Sequence, residues 1–363
     1  MEQSQFAEYI KRYFKGVVLS VVKLLNNKVQ DEPVRYRFKE MLTPKFSLDG
    51  KWQSIIGKYR NVKADLVAMD SPLPIKKRPS MGEVSGDIPK SGMKRWLNEN
   101  QMTTIQTLDA LGEVDEVKAE LFEDTGACIT GIYENNEFLF LHGLSSGVAL
   151  VTEEENVGTA ARLSYGYLDE NRFGVEVDWS LVDDAKPVDD FRRMFDKAKG
   201  KIKALMMDPD TLAKLGATRQ MREQYVFFKG IVLPTENSLI PNLDEDKINE
   251  FMRGVFKVTI DIVDRAVEAE KDGEAINLIP WQAGSIIGVP GQNVGDLVYA
   301  KTAEQNAPVP GVEYQLVDSY ALVSKYRKNE PAVSEHTQIQ ARVFPVITNV
   351  HRIFQLDTTE IQA

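Results

Sequence analysis

Cysteine is almost absent from the sequence, since Cys128 is the only one among 363 residues. No disulfide can therefore form within the chain, which favours a reducing compartment. The N-terminal residues also lack the charged, apolar and small-residue order of a secretory signal peptide. Their longest apolar stretch, from Gly16 to Val22, is too short to span a bilayer. We expect a soluble protein that is made in a cytoplasm and has no membrane partner.

Motifs for metals and cofactors are missing as well. The three histidines are scattered, and no H-E-x-x-H sequence or cysteine pair occurs. There is no P-loop, and Gly288, Gly291 and Gly295 lack the spacing of a dinucleotide-binding fingerprint. The acidic run from Asp244 to Asp246 lacks the glycine of a calcium loop and is more typical of a helix start. We predict no bound metal and no cofactor.

One segment matches an enzymatic motif. Gly143 to Gly147 has the G-x-S-x-G pattern of a nucleophile elbow, with Ser145 as the nucleophile. The residues that would complete a triad follow in the right chain order: Asp183 or Asp208, and then His336 or His351. An elbow needs a strand before the serine and a helix after it, whereas a helical pattern precedes this serine and a strand-like pattern follows it. The segment therefore predicts a helix end, and we predict that the protein is not an enzyme.

Charge is unevenly distributed along the chain. Residues 1–100 carry 19 Lys and Arg against 11 Asp and Glu, so that their net charge is +8. Residues 101–363 carry 25 against 43, which gives −18, and the whole chain has −10. The overall charge argues against a general nucleic-acid coat. A basic segment on an acidic body can bind nucleic acid or lie across the acidic body of a neighbouring copy, and the charge alone favours neither.

The first 150 residues combine two helical patterns with an extended stretch. Residues 5–28 repeat apolar side chains at helical spacing, which predicts a helix that packs against protein or lies on a membrane surface, and we favour packing. Residues 61–70 predict a strand. Residues 71–92 hold four prolines and three glycines, which predicts an extended arm toward another molecule or a disordered linker. Residues 114–145 predict a helix of about 48 Å.

The remaining residues mix strands and helices. Residues 160–179 alternate with period two on both sides of a polar turn, which predicts a β-hairpin. A helix is predicted from Pro187 to Lys199, whose acidic start and basic end suit the helix dipole. Another helix is predicted to start at Pro209. Strands are predicted at 201–207, 256–263, 338–347 and 350–356, and residues 280–311 predict loops with short strands. Without a regular βαβ rhythm, this mixture predicts an α+β fold of about two domains.

Several segments together resemble the major capsid proteins of tailed bacteriophages, specifically the lambda-like protein E group. The resemblance covers roughly residues 30–360 and depends on the order of the segments, because no single motif is specific. These segments are Val62–Ala68, Ser85–Lys90, Phe138–Gly147, Tyr165–Tyr167, Asn171–Val175, Ala204–Asp208, Asp264–Arg265, Leu322–Lys328 and Phe344–Thr348.

The resemblance implies the Hong-Kong-97 fold. We assign residues 1–60 to an N-terminal arm, 61–100 to an extended loop, 101–199 to a peripheral domain with a spine helix, 200–320 to an axial domain, and 321–363 to closing peripheral strands. The arm and the loop show few core residues of their own, so we expect them to bury their apolar residues against other copies.

The implied function is that of a structural subunit that self-assembles into the icosahedral head of a tailed double-stranded DNA phage or prophage. An encapsulin-like cellular compartment on the same fold is the alternative. The implied partners are other copies in hexamers and pentamers, packaged double-stranded DNA bound without sequence recognition, and scaffold, portal and decoration proteins. The implied location is the virion capsid, assembled in the cytoplasm of a bacterial host. The basic run Lys76, Lys77 and Arg78 is predicted to contact the acidic body of a neighbouring copy.

Overall fold

The computed structural model describes residues 1–26, 35–57, 81–151, 161–230, 240–271, 274–291, 293–330 and 332–362. The chain divides into two compact units. Unit 1 comprises Met1–Trp52, Gly86–Phe138 and Asp296–Pro345, and unit 2 comprises Gln53–Ser85, Leu139–Gly295 and Val346–Ala363. No helix in the described part of the chain is long and apolar enough to cross a membrane.

Helices and strands are mixed along the chain, as the α+β prediction requires. The helices are α1 (Ala7–Asn26), α2 (Arg37–Met41), α3 (Glu99–Leu111), α4 (Val114–Ser146), α5 (Pro187–Ala198), α6 (Pro209–Ala217), α7 (Arg219–Phe228), α8 (Glu245–Val255) and α9 (Ala303–Asn306). The strands are β1 (Leu42–Phe46), β2 (Lys51–Gly57), β3 (Met81–Asp87), β4 (Lys90–Leu97), β5 (Val148–Val151), β6 (Ala161–Ser164), β7 (Arg172–Val175), β8 (Ala204–Met207), β9 (Thr259–Ile262), β10 (Val267–Lys271), β11 (Glu274–Leu278), β12 (Ser285–Val289), β13 (Gly295–Ala300), β14 (Glu313–Val317), β15 (Ala321–Lys328), β16 (Ser334–Ile347) and β17 (Phe354–Ile361).

Unit 1 is built on a six-stranded sheet in the order β1-β13-β16-β15-β14, with β4 also paired to β16. The β4, β16 and β15 strands run antiparallel, so that Ile339 lies between Met93 and Val323. The first part of α4 packs on the face of the sheet that carries Lys325 and Thr337. Its Cys128 thiol lies 3.8 Å from the carbonyl oxygen of Thr337, and both residues are buried. The long helix predicted over 114–145 is confirmed.

Helix α1 packs within its own chain. Its apolar stripe buries Ile10, Phe14 and Val18, and the Phe14 ring stacks on Phe122 of α4 at 6.1 Å. Burial of each such side chain stabilises the fold by roughly 2 kcal/mol. The expectation that the arm buries its apolar residues only against other copies is therefore wrong for this helix, because β14 and Phe122 of the same chain pack against it.

A buried carboxylate holds the start of α2. The two oxygens of Glu137 accept the backbone N–H groups of Arg37 and Phe38, each at 3.0 Å. Glu137 is fully buried, and a helix start leaves such N–H groups without intrahelical partners. This contact attaches residues of the predicted arm to α4.

Unit 2 is built on a five-stranded sheet in the order β7-β17-β12-β8-β9. Strand β12 is antiparallel to β17 and β8, whereas β17 with β7 and β8 with β9 are parallel pairs. The core combines side chains of the sheet with those of α5, α6 and α8: Trp179, Phe191, Met194, Leu205, Leu215, Phe251, Ile286 and Phe354 are all buried. The predicted helices at Pro187 and Pro209 are confirmed as α5 and α6.

The predicted β-hairpin over 160–179 is wrong. Strand β6 pairs with β5, and β7 pairs with β17 in parallel, more than 180 residues away in the chain. A 3-10 helix, Asp169–Asn171, separates the two strands. Period-two alternation reports that a strand is half-buried, but it does not identify the strand that pairs with it.

The stretch 71–92 has extended backbone where it is described, which agrees with the absence of a long helix, and its contact with another molecule stays a prediction. Residues 71–80 lie outside the described residues, but Met81–Asp87 and part of β4 are strands. Strand β3 pairs with β2. Gly92 of β4 lies against the backbone of Ile339. A Cβ atom at this position would be 2.6 Å from the Ile339 carbonyl oxygen, so the close approach of the two strands favours glycine here.

Candidate functional site: surfaces for self-association

The predicted inter-subunit contact residues Lys76, Lys77 and Arg78 lie outside the described residues, as does the strand predicted over 61–70. Their contact with a neighbouring copy therefore stays a prediction. The surfaces described below come from the parts of each unit that the structure describes.

The enzymatic motif proves to be the end of a helix. Helix α4 ends at Ser146, and Gly147 has φ of +77° before β5 begins. A left-handed residue after the last turn is a common helix stop, and glycine adopts it without a Cβ clash. The prediction of a helix end in this segment is confirmed.

Ser145 is a buried structural residue. It is 0% exposed, and its hydroxyl donates to the His142 carbonyl at 3.2 Å and accepts the Gln282 N–H at 3.0 Å. Its own carbonyl accepts the Ser285 hydroxyl at 2.7 Å and the Gln355 amide at 3.0 Å. These bonds join the end of α4 to β12 and β17 within unit 2, so that the hydroxyl is not presented to a substrate.

The other residues of the candidate triad have separate structural roles. Asp208 caps α6 and accepts the Thr211 N–H at 2.9 Å. His336 lies in β16 of unit 1, where burial lowers the pKa of its imidazole and the charges of neighbouring lysines lower it further. Asp183 lies in a turn before α5, and His351 lies in a 3-10 helix. None of the four hydrogen-bonds to Ser145 within the described residues.

Acidic, histidine and cysteine side chains do not gather into a metal site in the part of the chain that the structure describes. The acidic run at 244–246 instead begins α8, as predicted. Asp244 caps the helix by accepting the Lys247 N–H at 3.0 Å. Cys128 is buried in unit 1, and burial raises the pKa of its thiol to about 11.

Unit 2 carries a separate two-stranded hairpin formed by β10 and β11. The strands pair only with each other among the described residues, from Val267 opposite Leu278 to Lys271 opposite Glu274. One face aligns Ala269 with Ile276, which is 38% exposed. The other face carries Glu268 and Glu270, both exposed. The hairpin therefore has two unpaired edges, one partly uncovered apolar face and one acidic face.

Unit 1 carries an exposed surface at β4, an edge strand of its sheet. Lys90, Lys94 and Trp96 lie on one face of this strand and are exposed, with Trp96 at 59%. Across the sheet, Trp96 faces His336, whose ring is 6.5 Å away, and His336 stacks on Tyr326 at 5.2 Å.

A cleft opens beside this row of aromatic rings. Its volume is about 680 Å³. It is lined by Lys94, Trp96, Asn98, Glu99, Asn100, Lys328, Glu330, Ala332, Val333, Ser334 and His336. A large exposed aromatic ring in a cleft is typical of an interaction surface.

A second apolar patch on unit 2 lies at the ends of α7 and α8. Phe227 is 77% exposed, Phe228 39% and Val255 44%. The Phe228 ring meets the buried Phe251 edge-on at 5.8 Å, which fixes the patch to the core. Sequence reasoning missed this patch and the β4 edge, because exposure of an apolar residue is not visible in its periodicity.

Comparison with known proteins identifies the fold. No protein-family model and no curated protein sequence matches this chain. The putative capsid protein of a prophage of E. coli CFT073 is 12% identical and aligns over 94% of this chain and 98% of its own, with a TM-score of 0.55. A phage-related protein from Bordetella bronchiseptica RB50 is 9% identical over 96% and 97%, with a TM-score of 0.50.

An encapsulin complex from Synechococcus elongatus PCC 7942 is 11% identical over 95% and 96%. The TM-score of this match is 0.38. At identities near 10%, a structural match over nearly the whole chain shows the fold alone. The match to the prophage protein extends over nearly the whole of both chains, and this chain therefore has the α+β fold of a phage capsid protein, as its sequence resemblance implied.

Proposed function

We propose that this chain is a major capsid protein that self-assembles into the icosahedral head of a tailed double-stranded DNA phage or prophage. The observation that carries the proposal is the likeness to the prophage capsid protein, which spans 94% of this chain and 98% of the other. A match of this extent covers nearly the whole chain rather than one common motif.

The described surfaces support a role in self-association. The β10–β11 hairpin and the β4 strand each have unpaired backbone edges among the described residues, and such edges are the usual starting point for pairing with another chain. Large apolar side chains such as Trp96 and Phe227 are more than half exposed. A monomer gains nothing from these features, whereas a repeated subunit can cover them.

The proposal assigns no catalytic role. Ser145 is fully buried and is committed to hydrogen bonds that join secondary-structure elements. A substrate carbonyl has no path to its hydroxyl without opening the end of α4. A purified protein that hydrolyses esters, and loses that activity in Ser145→Ala, would contradict this part of the proposal.

The partners of the shell follow from the same proposal. Copies would associate as hexamers and pentamers, and the shell would enclose double-stranded DNA without reading its sequence. Scaffold, portal and decoration proteins would contact it during assembly in the cytoplasm of a bacterial host, and the finished product would be the virion capsid. The division into arm (1–60), extended loop (61–100), peripheral domain (101–199 and 321–363) and axial domain (200–320) also stays a prediction.

Electron microscopy of the purified, expressed protein tests the proposal directly. Closed shells or rings are expected at moderate protein concentration, or after addition of a scaffold protein. Light scattering that detects only monomers across buffers, with scaffold present, would contradict it. Shells that enclose a protein cargo, encoded away from portal and packaging genes, would favour the encapsulin-like alternative.

The basic run at Lys76, Lys77 and Arg78 is proposed to contact the acidic part of a neighbouring copy. Its support is the charge of −18 over residues 101–363, because opposite charges steer association and fix its orientation. Reversal of all three charges to glutamate is expected to slow assembly while the circular dichroism of the subunit is unchanged. A triple variant that forms normal shells at the normal rate would exclude the contact.

A further inference from the structure

The β10–β11 hairpin is incomplete as an isolated structure. Its five paired positions join only its own two strands, and a single two-stranded hairpin is marginally stable in water. Val267 is buried at the base of the hairpin, but Ile276 is 38% exposed and Ile279, just beyond the last strand residue, is 74% exposed. A third strand on either edge would supply both backbone partners and apolar cover.

Strand β4 has a paired strand on only one of its two edges among the described residues. Its eight residues pair with β16 from Leu97 opposite Glu335 to Lys90 opposite Arg342, and the opposite edge has no strand among the described residues. Its exposed face carries Lys90 and Lys94 and ends at Trp96. The strand therefore offers a free backbone edge, two cations and a large aromatic ring.

We propose that the β10–β11 hairpin of one copy adds to the free edge of β4 in a second copy. This contact rests on the proposed shell function and names one of the surfaces that would carry it. Backbone hydrogen bonds would extend the six-stranded sheet of the second copy. Glu268 and Glu270 would lie beside Lys90 and Lys94 on one face of the extended sheet.

Charge complementarity favours the β10–β11 hairpin as the partner of the β4 edge. None of Glu268, Glu270, Lys90 and Lys94 has an ion-pair partner within the described residues, and all four are exposed. Lysines on an edge strand discourage pairing with neutral or basic strands, but an acidic strand relieves their mutual repulsion. Two copies of β4 would repel each other, and so would two hairpins, so that the unlike pair is favoured.

Paired charge reversals test the contact. The first variant carries Glu268→Lys and Glu270→Lys, and the second carries Lys90→Glu and Lys94→Glu. A control variant carries Asp196→Lys and Glu360→Lys, two exposed acidic positions of unit 2 outside the proposed contact, and changes the net charge by the same amount as the first variant. Assembly is followed by light scattering and electron microscopy, and the fold of each subunit by circular dichroism.

Each reversed variant is expected to retain the circular dichroism of the wild type and to assemble at least about tenfold more slowly. The control is expected to assemble like the wild type. Mixing the two reversed variants is expected to restore assembly, because the basic hairpin of one then meets the acidic edge of the other. The four substitutions combined in one chain are expected to restore it as well.

Several results would overturn the contact while leaving the shell function intact. Normal assembly of either reversed variant would do so. An equal slowing of assembly in the control variant would do so as well. Failure of both the mixture and the combined variant would show that the two surfaces do not meet. If reversal of Lys76, Lys77 and Arg78 restores assembly of the hairpin variant, the hairpin contacts that segment and not β4. A wild-type protein that never assembles would instead contradict the proposed function.

Discussion

The lysine at position 325 allows a quantitative test of the unit 1 core. Lys325 is 3% exposed in β15, and its ammonium donates to the Leu121 carbonyl and to the Thr337 hydroxyl, each at 2.7 Å. Burial lowers the pKa of this side chain to about 8, although the carboxylates of Asp124 and Glu335 raise it in part. The substitution to study is Lys325→Met, which keeps an unbranched side chain one heavy atom shorter and removes the charge.

The sign of the pH dependence follows from the protons bound by each state. In the unfolded chain the lysine has its ordinary pKa of about 10.4, whereas in the folded chain it has lost its proton above about pH 8. Between these two values the unfolded state binds more protons, so that the free energy of unfolding rises with pH. The rise attributable to Lys325 is about 1.4 kcal/mol for each pH unit and about 3 kcal/mol in total. Below pH 8 both states are protonated and the cost of burying the charge is fully present.

Urea unfolding of the unassembled subunit, followed by circular dichroism and tryptophan fluorescence at pH 7, 8, 9 and 10, measures this rise. The quantity to compare is the wild-type free energy of unfolding minus that of Lys325→Met. Cys128, whose pKa burial raises to about 11, lowers stability above pH 9 in both proteins, and the subtraction largely removes its contribution. We expect the difference to shift in favour of the wild type by roughly 2 to 3 kcal/mol between pH 7 and pH 10.

A difference that is the same at pH 7 and pH 10 would refute the reasoning, because it would show that the folded protein keeps this ammonium charged. Lys328→Met is the matched control, since Lys328 lies on the same strand and is less buried. If the difference in the free energy of unfolding changes equally with pH for both variants, the effect comes from the lost net charge rather than from the buried group.

Three further predictions concern positions where the fold depends on one side chain. Glu137→Ala leaves the buried N–H groups of Arg37 and Phe38 without their acceptor and is expected to cost about 3 kcal/mol in urea unfolding, with a smaller loss in Glu137→Gln. Asp244→Ala removes the α8 cap and is expected to cost about 1 kcal/mol, whereas Asp244→Asn keeps the cap and most of the stability. Gly147→Ala forces an L side chain into φ of +77° and is expected to lower stability by about 1–2 kcal/mol; no loss would show that the turn relaxes.

Local patterns allowed much of the fold to be predicted. The spacing of apolar residues placed α4 within one residue of its observed end, and neither Gly126 nor Gly131 breaks it. The acidic starts of α5 and α8 were recognised because helix ends have a strong local chemistry. These features depend on neighbours within a few residues, which a single sequence contains.

Long-range pairing could not be predicted in the same way. The parallel pairing of β7 with β17 joins residues more than 180 positions apart, and the alternation in β7 is compatible with any partner. Strand β16 was predicted in part, over 338–347, but it is buried almost throughout, so that its sequence does not identify the strands that pair with it. Lys325 lies at a buried position of β15, which only the register of the sheet reveals.

The proposed contact between the hairpin and the β4 edge also determines what kind of assembly is possible. Two different surfaces of the same chain meet, so the contact is heterologous, and each copy uses its hairpin on one neighbour and its edge on another. Heterologous contacts close into rings when the rotation between neighbours divides a full turn, and otherwise form open filaments. Shell capsomers require closure, so a subunit with an intact contact is expected to form rings rather than dimers. An assembly series that stops at symmetric dimers under all conditions would show that a self-complementary surface, such as the patch at Phe227 and Val255, carries the association instead.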